Sequence, residues 1–273
     1  MMGSASPAET APQRISIIGV PIDAVNKETA LRRILAWGSA GPAKTVFVRD
    51  VHGMVRARDD AELARLQASS DLIMPDGAPL SFIGKLRGLG GVMGRATGPD
   101  VMEAVCAASV ERGLKHYFFG GKPGVASRMA AVLTERYPGL QVVGIYSPPM
   151  REINGSTRFS QEELAEVEAI AASGADFIWV GMSTPKQDFW LMQAAQNASH
   201  GVFLGVGAAF DFHAGDVARA PGWMRNNGLE WLHRLISEPR RLWRRYVLLA
   251  PRFVFLAFAE EVSGRLGDKV ARS

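Results

Sequence analysis

Four stretches of the chain combine glycine, proline and polar side chains in runs that could cradle an anion. They are MPDGAP (74–79), FFGGKPG (118–124), VGMSTPKQD (180–188) and LGVGAAFDFHAG (204–215). Glycine lets backbone approach a ligand closely, and a helix N-terminus offers free N–H groups to negative charge. The candidate contacts are Gly120, Gly121, Gly124, Gly181, Pro185, Gly205 and Gly207. Together they point to a nucleotide or phosphorylated ligand, although a tight turn accounts for any one run by itself. Asp76, between Pro75 and Gly77, carries a carboxylate that could remove a proton from a substrate hydroxyl within hydrogen-bond reach. Pro-Asp-Gly is also a strong turn former, and on that signal alone the turn is the simpler account.

Other chemistries are poorly served. GVGAAF begins like GxGxxG but has Phe210 where the last glycine belongs, and no clear helix is expected after it. There is no Walker A run, and the five histidines show no HxxxH or HExxH spacing. Cys106 is the only cysteine, which excludes a disulfide scaffold and a cysteine-built zinc site. No metal site and no cofactor are implied. The chain also lacks Asp-x-Asp, so a departing diphosphate would need another cation. From Arg219 to Arg252 eight arginines face two glutamates, a surplus of six, so the +4 chain is negative by two elsewhere. Guanidinium forks match phosphate oxygens, and basic residues beside an apolar run are drawn to anionic membrane surfaces. Nucleic acid is a weaker partner, because Phe253, Phe255 and Phe258 lie in a plainly hydrophobic run.

These residues need elements to hold them. The 273 residues, 47% hydrophobic and 21% charged, suit a globular chain with a sizeable core. Apolar runs at 14–20, 45–48, 71–74, 115–119, 140–146, 176–180 and 202–206 read as strands. Helical patterns at 27–37, 59–69, 78–87, 99–112, 123–137, 161–173 and 185–196 alternate with them, the last capped by Ser183 or Thr184. The alternation predicts an α/β fold with a mostly parallel sheet flanked by helices. Residues 147–160 read as a loop. A helix is expected at 223–236, then another opened by Glu238-Pro239. Arg241, Arg244 and Arg245 fall on one side of that last helix, and the apolar run 246–259 is too short and broken to span a bilayer. The expected organisation is a disordered tail (1–13), without the apolar core of a secretion signal, an α/β core (14–215) and a helical, basic and apolar appendage (216–273).

In order, PDGAPL (75–80), GRATGPDVM (94–102), FFGGKPGVA (118–126), VGMSTPKQDFW (180–190), GVGAAFDFHAG (205–215) and RAPGWMRNNGLEWLHRLISEPRRLWRR (219–245) resemble the WecG/TagA/CpsF glycosyltransferase family, glycosyltransferase family 26. The resemblance implies an inverting, metal-independent transferase with a Rossmann-like core. It implies a UDP-sugar donor and an acceptor saccharide on a polyprenyl diphosphate. The setting would be peripheral, at the cytoplasmic face of a bacterial inner membrane, in making exopolysaccharide, capsule or teichoic acid. The family's general base falls on Asp76. Its diphosphate-binding arginine falls on Arg95, and the glutamine of its Pro-Lys-Gln motif on Gln187. The appendage arginines fall on Arg234, Arg241 and Arg244, and a nucleotide contact falls on Asp211. In this family the appendage looks like both membrane anchor and active-site lid. Where many members carry Thr-x-Asn this chain reads Val48-Arg49-Asp50, which puts Asp50 at a substrate-recognition position.

Two other readings stay open on the sequence. One is a nucleotide-dependent oxidoreductase using the Gly205–Gly207 turn. The other is a non-catalytic membrane scaffold for polysaccharide assembly. The sequence leaves homo-oligomerisation open.

Overall fold

The computed structural model describes residues 11–38, 41–149 and 159–270, the last seven by backbone alone. Most of the expected tail and the middle of the 147–160 loop lie outside these residues.

The chain opens with a hairpin, not with a strand of the main sheet. Strands β1 (Arg14–Ile17) and β2 (Val20–Asp23) pair antiparallel around Ile18 and Gly19, at φ 54° and 77°. Two positive φ angles make the tight turn that suits the twist of a hairpin. Ile-Gly carries no turn signature, so RISIIGV reads as one continuous strand. The hairpin covers a sheet edge. Asp23 accepts from Arg14 Nε and from the backbone N–H of Ile73, both at 2.8 Å, and so occupies a donor that an edge strand would leave open.

Next come α1 (Lys27–Gly38), β3 (Lys44–Arg49), α2 (Val51–Asp59), α3 (Ala61–Ser69), β4 (Leu72–Pro75), α4 (Ala78–Leu86) and α5 (Gly98–Val110). Then follow β5 (Lys115–Gly120), α6 (Val125–Arg136), β6 (Gln141–Tyr146), α7 (Gln161–Ser173), β7 (Phe177–Gly181), α8 (Lys186–Asn197), β8 (Val202–Gly205) and α9 (Ala209–His213). The six strands β3–β8 form one parallel sheet in the order β4-β3-β8-β7-β5-β6. Helices cover both faces, so β4, β7 and β8 are buried along their whole length. Because all six run the same way, the ends of β4, β5, β7 and β8 open on one rim. The crossover from β4 to β5 carries the chain past three strands and makes the switch point where open sheets bind ligands.

Local details depart from the sequence expectation. Helix α2 was unexpected, because its VHGMVRARD has a glycine and little apolar periodicity. Helix α8 takes Pro185 as N-cap and has no side-chain cap, so neither Ser183 nor Thr184 serves. A short helix, α9, does follow the Gly205–Gly207 turn.

The expected helix at 223–236 is two helices, α10 (Gly222–Asn226) and α11 (Glu230–Ser237), broken where Gly228 takes φ 71°. Then α12 (Pro239–Trp243), a π-helical turn (Arg244–Leu249) and α13 (Ala250–Val270) continue as one rod. The widened turn leads into Pro251, which has no N–H to give the carbonyl four residues back. Phe253 and Ala257 are buried in the core, in the same apolar cluster as Phe47 and Phe203 of the sheet. Arg252 holds Asp59 of α2 through two hydrogen bonds, and Arg87 reaches Glu260 and Glu261. On α13, Val254, Phe255 and Phe258 stay 62–70% exposed.

Candidate active site

At the end of β4 the backbone N–H of Asp76 donates to the Arg49 carbonyl at 2.7 Å, one step beyond the last β3–β4 pair. The bend falls on Gly77, at φ 108°. Asp76 keeps some exposed surface, but the protein packed around it disfavours its charge and pushes its pKa up to about 6. Arg95, Arg234 and Arg219 oppose that rise, while the carboxylate of Asp100 adds to it. Arg95, in the loop before α5, is held by the Arg225 carbonyl at 2.9 Å and by the carboxylate of Glu230. Burial would raise the pKa of Asp100, yet its hydrogen bond from Arg219 at 2.8 Å holds it below the ordinary value. Arg234 of α11 lies 3.7 Å from Glu238 and 5.1 Å from the Phe212 ring centre.

Along the same rim a cleft of about 1190 Å³ opens over β5, β7 and β8. Gly120, Gly121, Gly181 and Gly207 line it, together with Asp211 and Arg241. A Cβ on Gly120 would stand 2.6 Å from the Gly181 carbonyl oxygen, and one on Gly181 would stand 2.6 Å from Cγ of Phe210. The floor is therefore bare backbone at two adjacent strand ends. Phe210 packs beneath it, which is why this position is not the third glycine of a dinucleotide turn. Gly120→Ala puts backbone against backbone at φ 118° and should cost about 1–3 kcal/mol, read by urea unfolding. Phe119 and Trp190, stacked with centres 3.9 Å apart, form an aromatic wall. Lys122 and Arg241 bring positive charge to Asp211, whose pKa burial nonetheless raises.

The other candidates stand behind or away from the cleft. Gln187 is buried, and its Oε1 accepts from Gly207 N at 2.9 Å and Met182 N at 3.3 Å. It braces two loops against each other and does not itself line the cleft. Gln187→Met removes the acceptor for both N–H groups and should cost about 1–3 kcal/mol in urea unfolding. Gly205 lies against Gln187 in a space too close for a Cβ. Gly124 and Pro185 are the N-caps of α6 and α8.

Asp50 is occupied elsewhere. It caps α2 by accepting from Gly53 N at 2.9 Å and pairs with Arg245 of the appendage. Arg241, Arg244 and Arg245 therefore do not act as one stripe: Arg241 lines the cleft, Arg245 holds Asp50, and Arg244 is exposed, 5.4 Å from the Trp243 ring centre.

Sequence reasoning missed Asp100, Arg219 and Glu230, which surround Arg95. The two acids looked like ordinary surface charge, and Arg219 was only one arginine in a basic run. It also missed Arg49. The Arg49 side chain is buried, with Nη1 3.0 Å from Asp188 and Nε 2.7 Å from Gln67, while its carbonyl anchors Asp76. Among the described residues, no group of three or more His, Cys, Asp or Glu side chains is placed to hold a metal ion. Among them, too, no helix is long and apolar enough to cross a membrane.

A parallel sheet whose strand ends carry a glycine-floored cleft, with a carboxylate of raised pKa and several arginines on the same rim, suits a nucleotide or phosphorylated ligand. The chain belongs to the Glycosyl transferase WecG/TagA/CpsF family, whose model matches residues 15–266. Membership decides for glycosyl transfer over the oxidoreductase and scaffold readings.

Proposed function

We propose that this glycosyltransferase moves a sugar, with inversion, from a UDP-sugar to a saccharide carried on a polyprenyl diphosphate. The reading places it peripherally at the cytoplasmic face of a bacterial inner membrane, in the synthesis of a cell-surface polysaccharide. The observation that carries it is Asp76: a carboxylate raised to a pKa of about 6 and faced by arginines, on the rim that bears the glycine-floored cleft. The glycine floor and aromatic wall take the nucleotide, with Asp211 as a further contact. Asp76 accepts the proton of the acceptor hydroxyl, and that oxygen bonds to the anomeric carbon. The bond from that carbon to the diphosphate breaks on the opposite face, and UDP leaves. Arg241, Arg234 and Arg95 offset the charge that develops on the diphosphate. Catalysis so described makes no use of a metal ion.

The exposed Val254, Phe255 and Phe258, with Val247 and Leu248 on the preceding turn, supply an apolar face. Arg240 and Arg244, also exposed, add positive charge. Such a face suits an anionic lipid surface, where the acceptor resides.

The test is UDP release by the full chain from a panel of UDP-sugars. Short polyprenyl-diphosphate-linked monosaccharides serve as acceptors, with and without EDTA and anionic vesicles. Acceptor-dependent release that survives EDTA is expected from one donor. No release from any pair, with no UDP binding by calorimetry, would reject the reading.

A further inference from the structure

Glu230, the first residue of α11, has no part in the chemistry above, yet its carboxylate is the joint of a charged ring. It contacts Arg95 Nη2 on one side and lies 3.8 Å from Arg219 Nε on the other. Arg219 Nη2 bonds Asp100 at 2.8 Å, and Arg225 Nη1 stands 3.9 Å from the same Asp100 oxygen. Arg95 Nη1 then donates to the Arg225 carbonyl at 2.9 Å and closes the ring. Two members, Arg95 and Asp100, come from the core, and the other three, Arg219, Arg225 and Glu230, come from the start of the appendage. The Glu230 side chain is only 16% exposed, so this pairing is less screened than a surface ion pair.

We propose that Glu230 is a positioning residue for glycosyl transfer: by joining Arg95 to Arg219 it seats the appendage on the core and sets where the Arg95 guanidinium stands beside Asp76. This rests on the reading of Asp76 as general base. An arginine side chain has roughly 2 kcal/mol of rotamer entropy and needs anchors to keep one place. Arg95 has two, the Glu230 carboxylate and the Arg225 carbonyl, and both come from the appendage side. Without Glu230, Arg95 keeps one anchor, the Arg225 carbonyl, and can swing toward the carboxylates it already acts on, Asp76 and Asp100. An opposite charge within about 4–6 Å lowers a carboxylate pKa by roughly 1–3 units. Glu230 thus competes with the base for Arg95, leaving Asp76 able to accept a proton near neutral pH. The charged groups acting on Asp76 are Arg95 before α5, Asp100 on α5, Arg219 ahead of α10 and Arg234 on α11. Glu230 touches two of these four.

The experiment compares full-length wild type, Glu230→Gln and Glu230→Asp. One readout needs no turnover: ¹³C NMR titration of aspartate carboxyl groups, with Asp76 assigned by its loss in Asp76→Asn. In Glu230→Gln the Asp76 midpoint should fall by about one unit or more. Turnover should fall about tenfold with the donor KM unchanged, and Glu230→Asp, which keeps the charge, should recover part of it. A wild-type midpoint and wild-type kcat in Glu230→Gln overturn the proposal, even if Tm drops, because the contact is then structural only. Should Glu230→Gln fail to fold, Glu230→Asp decides: reduced kcat at unchanged donor KM supports the proposal, and wild-type kcat rejects it. If wild type releases no UDP, the functional reading fails, and the titration still reports separately whether Glu230 governs Asp76.

Discussion

Replacing Asp76 by Asn is expected to lower turnover about 10²- to 10⁴-fold, the usual contribution of a positioned general base. The amide keeps the size and the backbone bond to Arg49 but cannot take the acceptor's proton. Wild-type kcat/KM should carry an acid limb near pH 6, because only ionised Asp76 serves as base. Below that value the rate should fall tenfold per pH unit, and above it the profile should flatten. The variant should lack this limb. Stability moves the other way. Burial raises the folded pKa above the ordinary value, so the native state holds the proton more tightly than the unfolded chain does. The penalty for ionising Asp76 therefore appears as pH rises from about 4 to about 6, and it is fully present at pH 8. Asn carries no such penalty, so the variant should melt no lower than wild type at pH 8. Near-wild-type turnover, or a clearly lower Tm, would reject the assignment.

The second large effect is on stability. Arg49 and Asp188, on β3 and α8, form an ion pair whose side chains are 1% and 0% exposed. Breaking such a pair by removing one partner leaves a buried charge unpaired and typically costs about 3–5 kcal/mol. Asp188→Asn should lose that much in equilibrium urea unfolding. The loss should be accompanied by lower turnover, because the Arg49 carbonyl anchors Asp76. Replacing both residues by apolar side chains of similar volume should restore most of the stability. A single variant within 1 kcal/mol of wild type would show that water or a rearranged Gln67 takes up the freed guanidinium.

Much of the frame was legible because it follows from local rules. Solid apolar runs separated by amphipathic helices imply a parallel sheet covered on both faces, and β3, β4, β5, β7 and β8 obey that rule, while the edge strand β6 is left largely exposed. Glycine where no side chain fits is likewise written locally: Gly120 meets the Gly181 backbone, and Gly181 meets the Phe210 ring. The places that misled were those where one local signal was weak or overridden. Ile18 takes a positive φ that a β-branched residue seldom adopts, and so hides the hairpin. The break at Gly228 divides a run whose apolar spacing is continuous.

The sequence by itself determined the α/β class, the glycine-rich turns at the strand ends, the basic C-terminal segment and, through six ordered motifs, the family resemblance. The tertiary structure decided which candidates share a place. It put Asp76 with Arg95 and Arg234, drew Arg241 to the cleft, turned Gln187 into a brace, and paired Asp50 with Arg245. It also revealed Arg49 with Asp188, 139 residues apart, and Arg95 with Glu230, 135 apart. Periodicity reports which face of an element is buried, because that depends on neighbours three or four residues away. An ion pair between distant segments leaves no such trace. Each partner reads as solvated charge until the fold removes the water between them.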